Sequence, residues 1–241
     1  MFNTLIASLN LVLMASSPTL LPRGTELASE KQSWQVAQTY YPPDRGAPPS
    51  TSGGATRSSC VSGDKPLTAL VAADRPGLTT LARPSFFLYV PSTQAQTAEF
   101  VLKDDSGDEV YRTILSLPSQ PGVMSFSLPA NSPSLEVNKD YRWYFSLICQ
   151  PENRLEDVFV SAWVRRVVPS PAWLGELRQA APKERSDRYA QAGFWSDALA
   201  ILAELRRTSP QDSSLAAAWN RLLQAANLGI LTDAPLLSGP R

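Results

Sequence analysis

The chain has 241 residues, with 22 basic and 22 acidic side chains, 43% hydrophobic residues, 21 prolines and two cysteines. That length suits one or two domains with a full hydrophobic core, and a net charge of zero removes the long-range attraction that would concentrate the protein on nucleic acid or anionic lipid. There is no histidine, which excludes Ser-His-Asp and Cys-His nucleophile systems and any His-ligated zinc, iron or copper.

Residues 5–14, LIASLNLVLM, form a short apolar run that small residues and Pro18 interrupt. Ten residues are too few to span a bilayer of about 30 Å as a helix. The run fits the apolar region of a secretory signal, although no Lys or Arg precedes it and Asn10 interrupts it. Residues 1–37 are therefore expected to be a signal peptide or leader. Nothing later in the chain is long and apolar enough for a membrane helix. Cys60 and Cys149 lie 89 residues apart, far from CxxC metal or redox spacing, and lack histidine co-ligands. An oxidising compartment lets them pair as a disulfide; two buried free thiols are the alternative.

Residues 38–65 are rich in Pro, Gly, Ser and Thr and read as an extended lead-in. From 66 to 168 the text changes to short runs of period two, the pattern of half-buried strands. Phe86, Leu88 and Val90 alternate with Phe87 and Tyr89, and Ala98, Phe100 and Leu102 alternate with Glu99, Val101 and Lys103. The acidic turn 104–108 leads into a strand at 109–117. It matches no EF-hand spacing, so a solvated hairpin is expected there rather than a calcium site. Met124, Phe126 and Leu128 share a face, as do Tyr141, Trp143, Phe145, Leu147 and Cys149, and then Val158, Val160, Ala162 and Val164. About seven strands at this spacing predict a mainly β fold, an antiparallel sandwich of immunoglobulin or fibronectin type III kind. Tyr141, at the start of the penultimate strand after a polar turn, resembles the tyrosine corner of such sandwiches and is expected to be structural.

Beyond Pro169 the period becomes helical, and residues 169–230 predict a helical appendage built as a hairpin, followed by a flexible tail at 231–241. Ser209 is the expected cap of the last helix, with Pro210 in its first turn, and Gly229 its expected stop. The stretch Tyr189–Ala198 followed by Pro210 resembles one tetratricopeptide repeat.

An ordered set of short motifs runs through the chain. Pro43-Asp44-Arg45-Gly46-Ala47-Pro48, Gly53-Gly54 and Arg57-Ser58-Ser59-Cys60 precede Leu67-Thr68-Ala69-Leu70-Val71. Pro84-Ser85-Phe86-Phe87-Leu88-Tyr89-Val90-Pro91, Tyr141-Arg142-Trp143-Tyr144 with Cys149, and Trp163-Val164-Arg165-Arg166 follow. Over residues 40–225 this set resembles the cyanobacterial family catalogued as domain of unknown function 928. One departure is Ala162, where the pattern leads us to expect glycine. The resemblance implies an extracytoplasmic protein and supplies no catalytic residue.

On the outward faces of the last two strands, Arg142, Tyr144, Phe159, Trp163 and Arg165 are expected to project together. Interleaved arginines and aromatics are enriched at interfaces, and this set is the candidate binding face. The helices also need an apolar surface, and this face is the nearest in sequence, so the stronger expectation is that they cover it. No catalytic residue, metal site or cofactor is expected, and no nucleic-acid stripe. The expected function is a noncatalytic interaction module of the periplasm or cell envelope that binds a protein or an envelope polymer. The alternatives are a carboxylate-dependent glycan-active enzyme and a structural envelope protein.

Overall fold

The structure, a computed structural model, describes residues 60–72 and 77–237; the leader and most of the lead-in lie outside the described residues. Within them are ten strands and four α-helices. The strands are β1 (Val61–Ser62), β2 (Thr68–Ala69), β3 (Gly77–Thr79), β4 (Ser85–Val90), β5 (Ser92–Thr93), β6 (Thr97–Asp104), β7 (Glu109–Ser116), β8 (Gly122–Ser127), β9 (Asp140–Leu147) and β10 (Val158–Arg166). The helices α1 (Pro171–Gln179), α2 (Pro182–Gln191), α3 (Trp195–Thr208) and α4 (Ser213–Ala225) follow.

Five strands form one sheet in the order β3-β10-β9-β6-β7, three form a second in the order β2-β4-β8, and β1 pairs with β5. The inward residues of the two larger sheets meet in one core, where Phe86, Leu88, Met124 and Phe126 face Phe100, Trp143, Phe145 and Val160. Phe100 lies 4.9 Å from Phe86 and 4.8 Å from Phe126, ring centre to ring centre. Period-two alternation in β9 and β10 produces this directly, because Tyr141, Trp143, Phe145 and Leu147 point inward while Arg142, Tyr144 and Ser146 point outward. The fold is not wholly antiparallel, as β3 runs parallel to β10, with Leu78 opposite Arg165.

The helical region is four helices rather than a hairpin, and it covers a different surface from the expected one. Leu70, Phe87, Tyr89 and Val123, on the outer face of the β2-β4-β8 sheet, join Leu199, Leu202, Trp219, Leu222 and Leu223 in a second core. Fully burying side chains of this size stabilises by roughly 1.5–3 kcal/mol each, so the helices are held chiefly on this outer face, and α3 also meets β3 at the edge of the five-stranded sheet. Trp195 Nε1 donates to the Leu70 carbonyl (2.7 Å), fixing the start of α3 on the sheet. Helix α4 is capped by Asp212, whose carboxylate accepts from the Ser214 N–H (2.8 Å), and not by Ser209. Asn227, at φ 60°, follows the end of this helix, ahead of Gly229. Residues 231–237, read as the start of a tail, continue onto β8: Val123 N–H donates to the Pro235 carbonyl and Leu237 N–H to the Val123 carbonyl, both at 2.8 Å. Gly122 permits this approach, since a Cβ there would stand 2.6 Å from the Pro235 carbonyl oxygen.

The first turn of α3 holds a buried carboxylate. Asp197 is 4% exposed and accepts from Thr79 Oγ1 (2.6 Å), Thr80 N–H (2.7 Å) and Thr80 Oγ1 (2.7 Å), which ties α3 to the end of β3. Burial raises its pKa above the ordinary 3.8, against the lowering effect of the three hydrogen bonds. The folded state therefore holds the Asp197 proton more tightly than the unfolded chain. This contribution is present below the unfolded pKa and lost as pH rises through the raised folded value. We expect Asp197→Ala to cost about 2–3 kcal/mol, because it leaves the Thr80 N–H and two hydroxyls without their acceptor. Asp197→Asn should cost less, and its stability relative to wild type should improve as pH rises from about 3.8 through the folded pKa. Urea denaturation of the three proteins across that range checks both, and a wild-type to Asn difference that does not change with pH would contradict the second.

Candidate functional site

The five-stranded sheet turns its outer face away from the core, and the second core, where α3 and α4 pack, contains no residue of that face. Its register places the outward residues in rows across the strands. Phe159, Ser146, Glu99 and Ile114 form one row, Ser161, Tyr144, Val101 and Arg112 the next, and Trp163, Arg142 and Lys103 the third. Four of the five residues expected to project together do so on accessible surface: Arg142, Tyr144 and Trp163 are half-buried and Phe159 is 47% exposed. The Arg142 guanidinium lies 5.2 Å from the Tyr144 ring centre and 5.7 Å from that of Trp163, and Nη2 donates to Ser161 Oγ (3.0 Å). Flanked by two rings and one hydroxyl, the guanidinium is held in place, and its Nε is buried with no hydrogen-bond partner.

Arg165 shares the face but not the surface. It is buried and forms a two-pronged ion pair with Asp140, also buried, through Nε to Oδ1 and Nη2 to Oδ2. Its charge is taken up by this pair at the end of the sheet, so it is not part of the accessible set. Tyr141 points inward, and its hydroxyl accepts from the Glu136 N–H (3.1 Å) across a turn in which Asn138 adopts φ 62°. Cys60 and Cys149 form a disulfide with Cα atoms 5.5 Å apart, joining the start of β1 to the loop after β9.

The share of the face carried by β6 and β7 was not gathered from the sequence, because their pairing with β9 is non-local. Glu99 sits between two arginines, with Arg112 Nη1 at 2.7 Å and Arg154 Nη2 at 3.4 Å. Arg112 Nε also donates to Glu109 (3.0 Å), holding the Glu109 carboxyl below its ordinary value, and the two glutamates together raise the Arg112 pKa. Arg154 pairs with Asp157 at 2.5 Å. In the loop after β9, Leu155 is 96% exposed, and Ile114 on β7 is 52% exposed.

The acidic turn after β6 is closed on itself. Asp104 Oδ1 accepts from the Ser106 and Asp108 N–H groups (3.0 Å each), and Oδ2 bonds Lys139 (3.1 Å), which is the main cause of its lowered pKa. Among the described residues no group of three or more His, Cys, Asp or Glu is placed to hold a metal ion. A depression of about 630 Å³ between α1 and α2 is lined by Trp173, Glu176, Glu184, Asp187, Arg188 and Gln191. Arg188 bonds Glu184 (2.8 Å) and reaches Glu176 (3.4 Å), so two of the depression's three carboxylates share one arginine. Among the described residues the carboxylate with a raised pKa is Asp197, buried in the first turn of α3 and bonded to Thr79 and Thr80. Among the described residues no helix is long and apolar enough to cross a membrane.

Comparison with known families gives one match, to Domain of Unknown Function (DUF928), over residues 52–236. The chain belongs to the DUF928 family. The match takes in both sheets and all four helices, so in this DUF928 protein the helical layer is part of the family unit rather than an addition to it. No curated protein and no solved structure matches the chain.

Proposed function

We propose that this protein is a noncatalytic interaction module, exported to the periplasm or cell envelope, whose binding surface is the outer face of the five-stranded sheet. The observation that carries the reading is the placement of the helices. They bury the outer face of β2-β4-β8 and, among the described residues, leave Trp163, Arg142, Tyr144 and Phe159 on a partly accessible sheet face. Trp, Tyr and Arg are the side chains that dominate binding energy at protein interfaces. The disulfide supports export, since such bonds persist in oxidising compartments. The architecture supports an immunoglobulin-like sandwich. Two packed sheets, and Tyr141 at the start of the penultimate strand with its hydroxyl bonded back to the Glu136 N–H, support that reading.

The test uses the full chain as bait against the envelope fraction of the source organism, with Phe159→Asp on the face and Arg188→Ala on α2 as comparison. We expect a specific binding partner retained by wild type and by Arg188→Ala and reduced at least tenfold by Phe159→Asp. Equal retention by all three proteins would show that the face is not the binding surface.

A further inference from the structure

The charges on the outer face are not balanced in place. Glu99 is held by Arg112 and Arg154, Glu109 by Arg112, Asp157 by Arg154, and Asp140 by Arg165. Two cations remain. Lys103 on β6 and Arg142 on β9 are direct cross-strand partners, and among the described residues no carboxylate lies within ion-pair distance of either. Glu109, across β7 from Lys103, is drawn toward it electrostatically but bonds Arg112. Like charges placed directly opposite on a sheet destabilise it. The fold carries this cost beside an arginine already oriented by two rings and a hydroxyl, with one N–H unused. An anion seated between Lys103 and Arg142 removes the repulsion by pairing with both cations.

The other end of the same face is apolar. Phe159 and Ile114, each about half exposed, end the row that contains Ser146 and Glu99, and exposed Leu155 lies in the loop before β10. Four residues along the strands separate this row from that of Arg142, about 13 Å at the rise of an extended chain. We propose that the face binds an acidic segment of a partner protein. A carboxylate sits against Lys103 and Arg142, and an apolar side chain about four residues away in extended conformation sits against Phe159 and Ile114. This rests on the reading of the face as a binding surface and names the chemistry of its occupant. A protein segment fits better than an acidic polysaccharide for two reasons. Exposed Ile114 and Leu155 offer nothing to a sugar, and the rings of Tyr144 and Trp163 each give a face to the guanidinium of Arg142 instead of to a pyranose.

The probes are a poly(Glu,Tyr) copolymer and polygalacturonate, which present the same carboxylate on a polypeptide and on a saccharide. Binding of each to the full chain is measured for wild type, Arg142→Gln and Lys103→Glu, with melting temperatures taken in parallel. We expect poly(Glu,Tyr) to bind wild type at least tenfold more tightly than polygalacturonate, and both variants to lose at least tenfold of that affinity. Lys103→Glu should at the same time melt within about 1 °C of wild type, because the attractive pair it gains with Arg142 is offset by the repulsive pair it makes with Glu109 on β7. A purely structural lysine would not lose binding while stability is kept. Unchanged affinity in both variants overturns the proposal, as does tighter binding of polygalacturonate that depends on Arg142 and Lys103. If a partner is captured through Phe159 but neither variant weakens it, the acidic occupant is wrong and the interaction module stands.

Discussion

Reduction of the Cys60–Cys149 disulfide is expected to lower the melting temperature by about 10–15 °C. The bond closes a loop of 89 residues. In the chain-entropy description a loop of that length restrains the unfolded state by about 4–5 kcal/mol, and 1 kcal/mol shifts the midpoint by about 2–4 °C for a protein of this size. The native contacts around Cys60 do not replace the restraint. Strand β1 pairs with β5 at only two positions, and the Cys60 carbonyl accepts from Thr93 Oγ1 (2.9 Å) and Gln94 N–H (3.0 Å). The core between the sheets includes Cys60 and packs against Cys149, but most of it, from Phe86 to Val160, comes from the other strands, so the reduced protein should still fold. Thermal denaturation of wild type with and without reductant, beside a Cys60→Ala/Cys149→Ala double variant, tests this. The double variant should melt with the reduced wild type and ignore reductant. A wild-type midpoint that reductant leaves unchanged, with two thiols titrated after treatment, would show that the cross-link contributes nothing.

The strands of the five-stranded sheet were readable because each presents one face to the core and one to the outside. Strict alternation in β9 and β10 placed Arg142, Tyr144, Phe159 and Trp163 together before any pairing was known, and the register of the two strands agrees, with Trp163 opposite Arg142. The position of the helices was misread, although β4 holds the signal. Its run Ser85–Val90 is apolar on both faces, with Phe87 and Tyr89 as buried as Phe86 and Leu88. A strand of that kind is covered on both sides, whereas β9, with Arg142 and Ser146 on its outer face, is not. Nearness in sequence pointed the helices at β10, but the apolar area that stabilises them lies on β4 and β8. The β3–β10 pairing was not legible, because three residues, Gly77–Thr79, carry too little pattern to announce a strand. Lys103 and Glu99 were legible as outward residues of β6. Their place beside Arg142 and Ile114 depends on long-range pairing that periodicity does not encode.

Truncating one member of the Asp140–Arg165 pair is expected to cost about 3–5 kcal/mol, while replacing both should cost little. Asp140 is 3% exposed and Arg165 6% exposed, and the two are direct cross-strand partners where β9 begins and β10 ends. Taking two charges out of water is expensive, and the bidentate geometry offsets that cost only while both are present. Asp140→Ala leaves a buried guanidinium without its counter-charge; Asp140→Val with Arg165→Met leaves apolar side chains beside Leu78 and the β3 edge. The double variant should therefore lie within about 1 kcal/mol of wild type, and the cycle of four proteins should give a coupling energy of several kcal/mol. Urea denaturation supplies all four values, and a double variant as unstable as the sum of the singles would show that the pair does not act as a unit. The same variants separate structure from recognition on this face. Arg165 was grouped with Arg142 by sequence alternation, yet its charge is spent inside the protein, so the folded double variant should bind whatever wild type binds, with unchanged affinity.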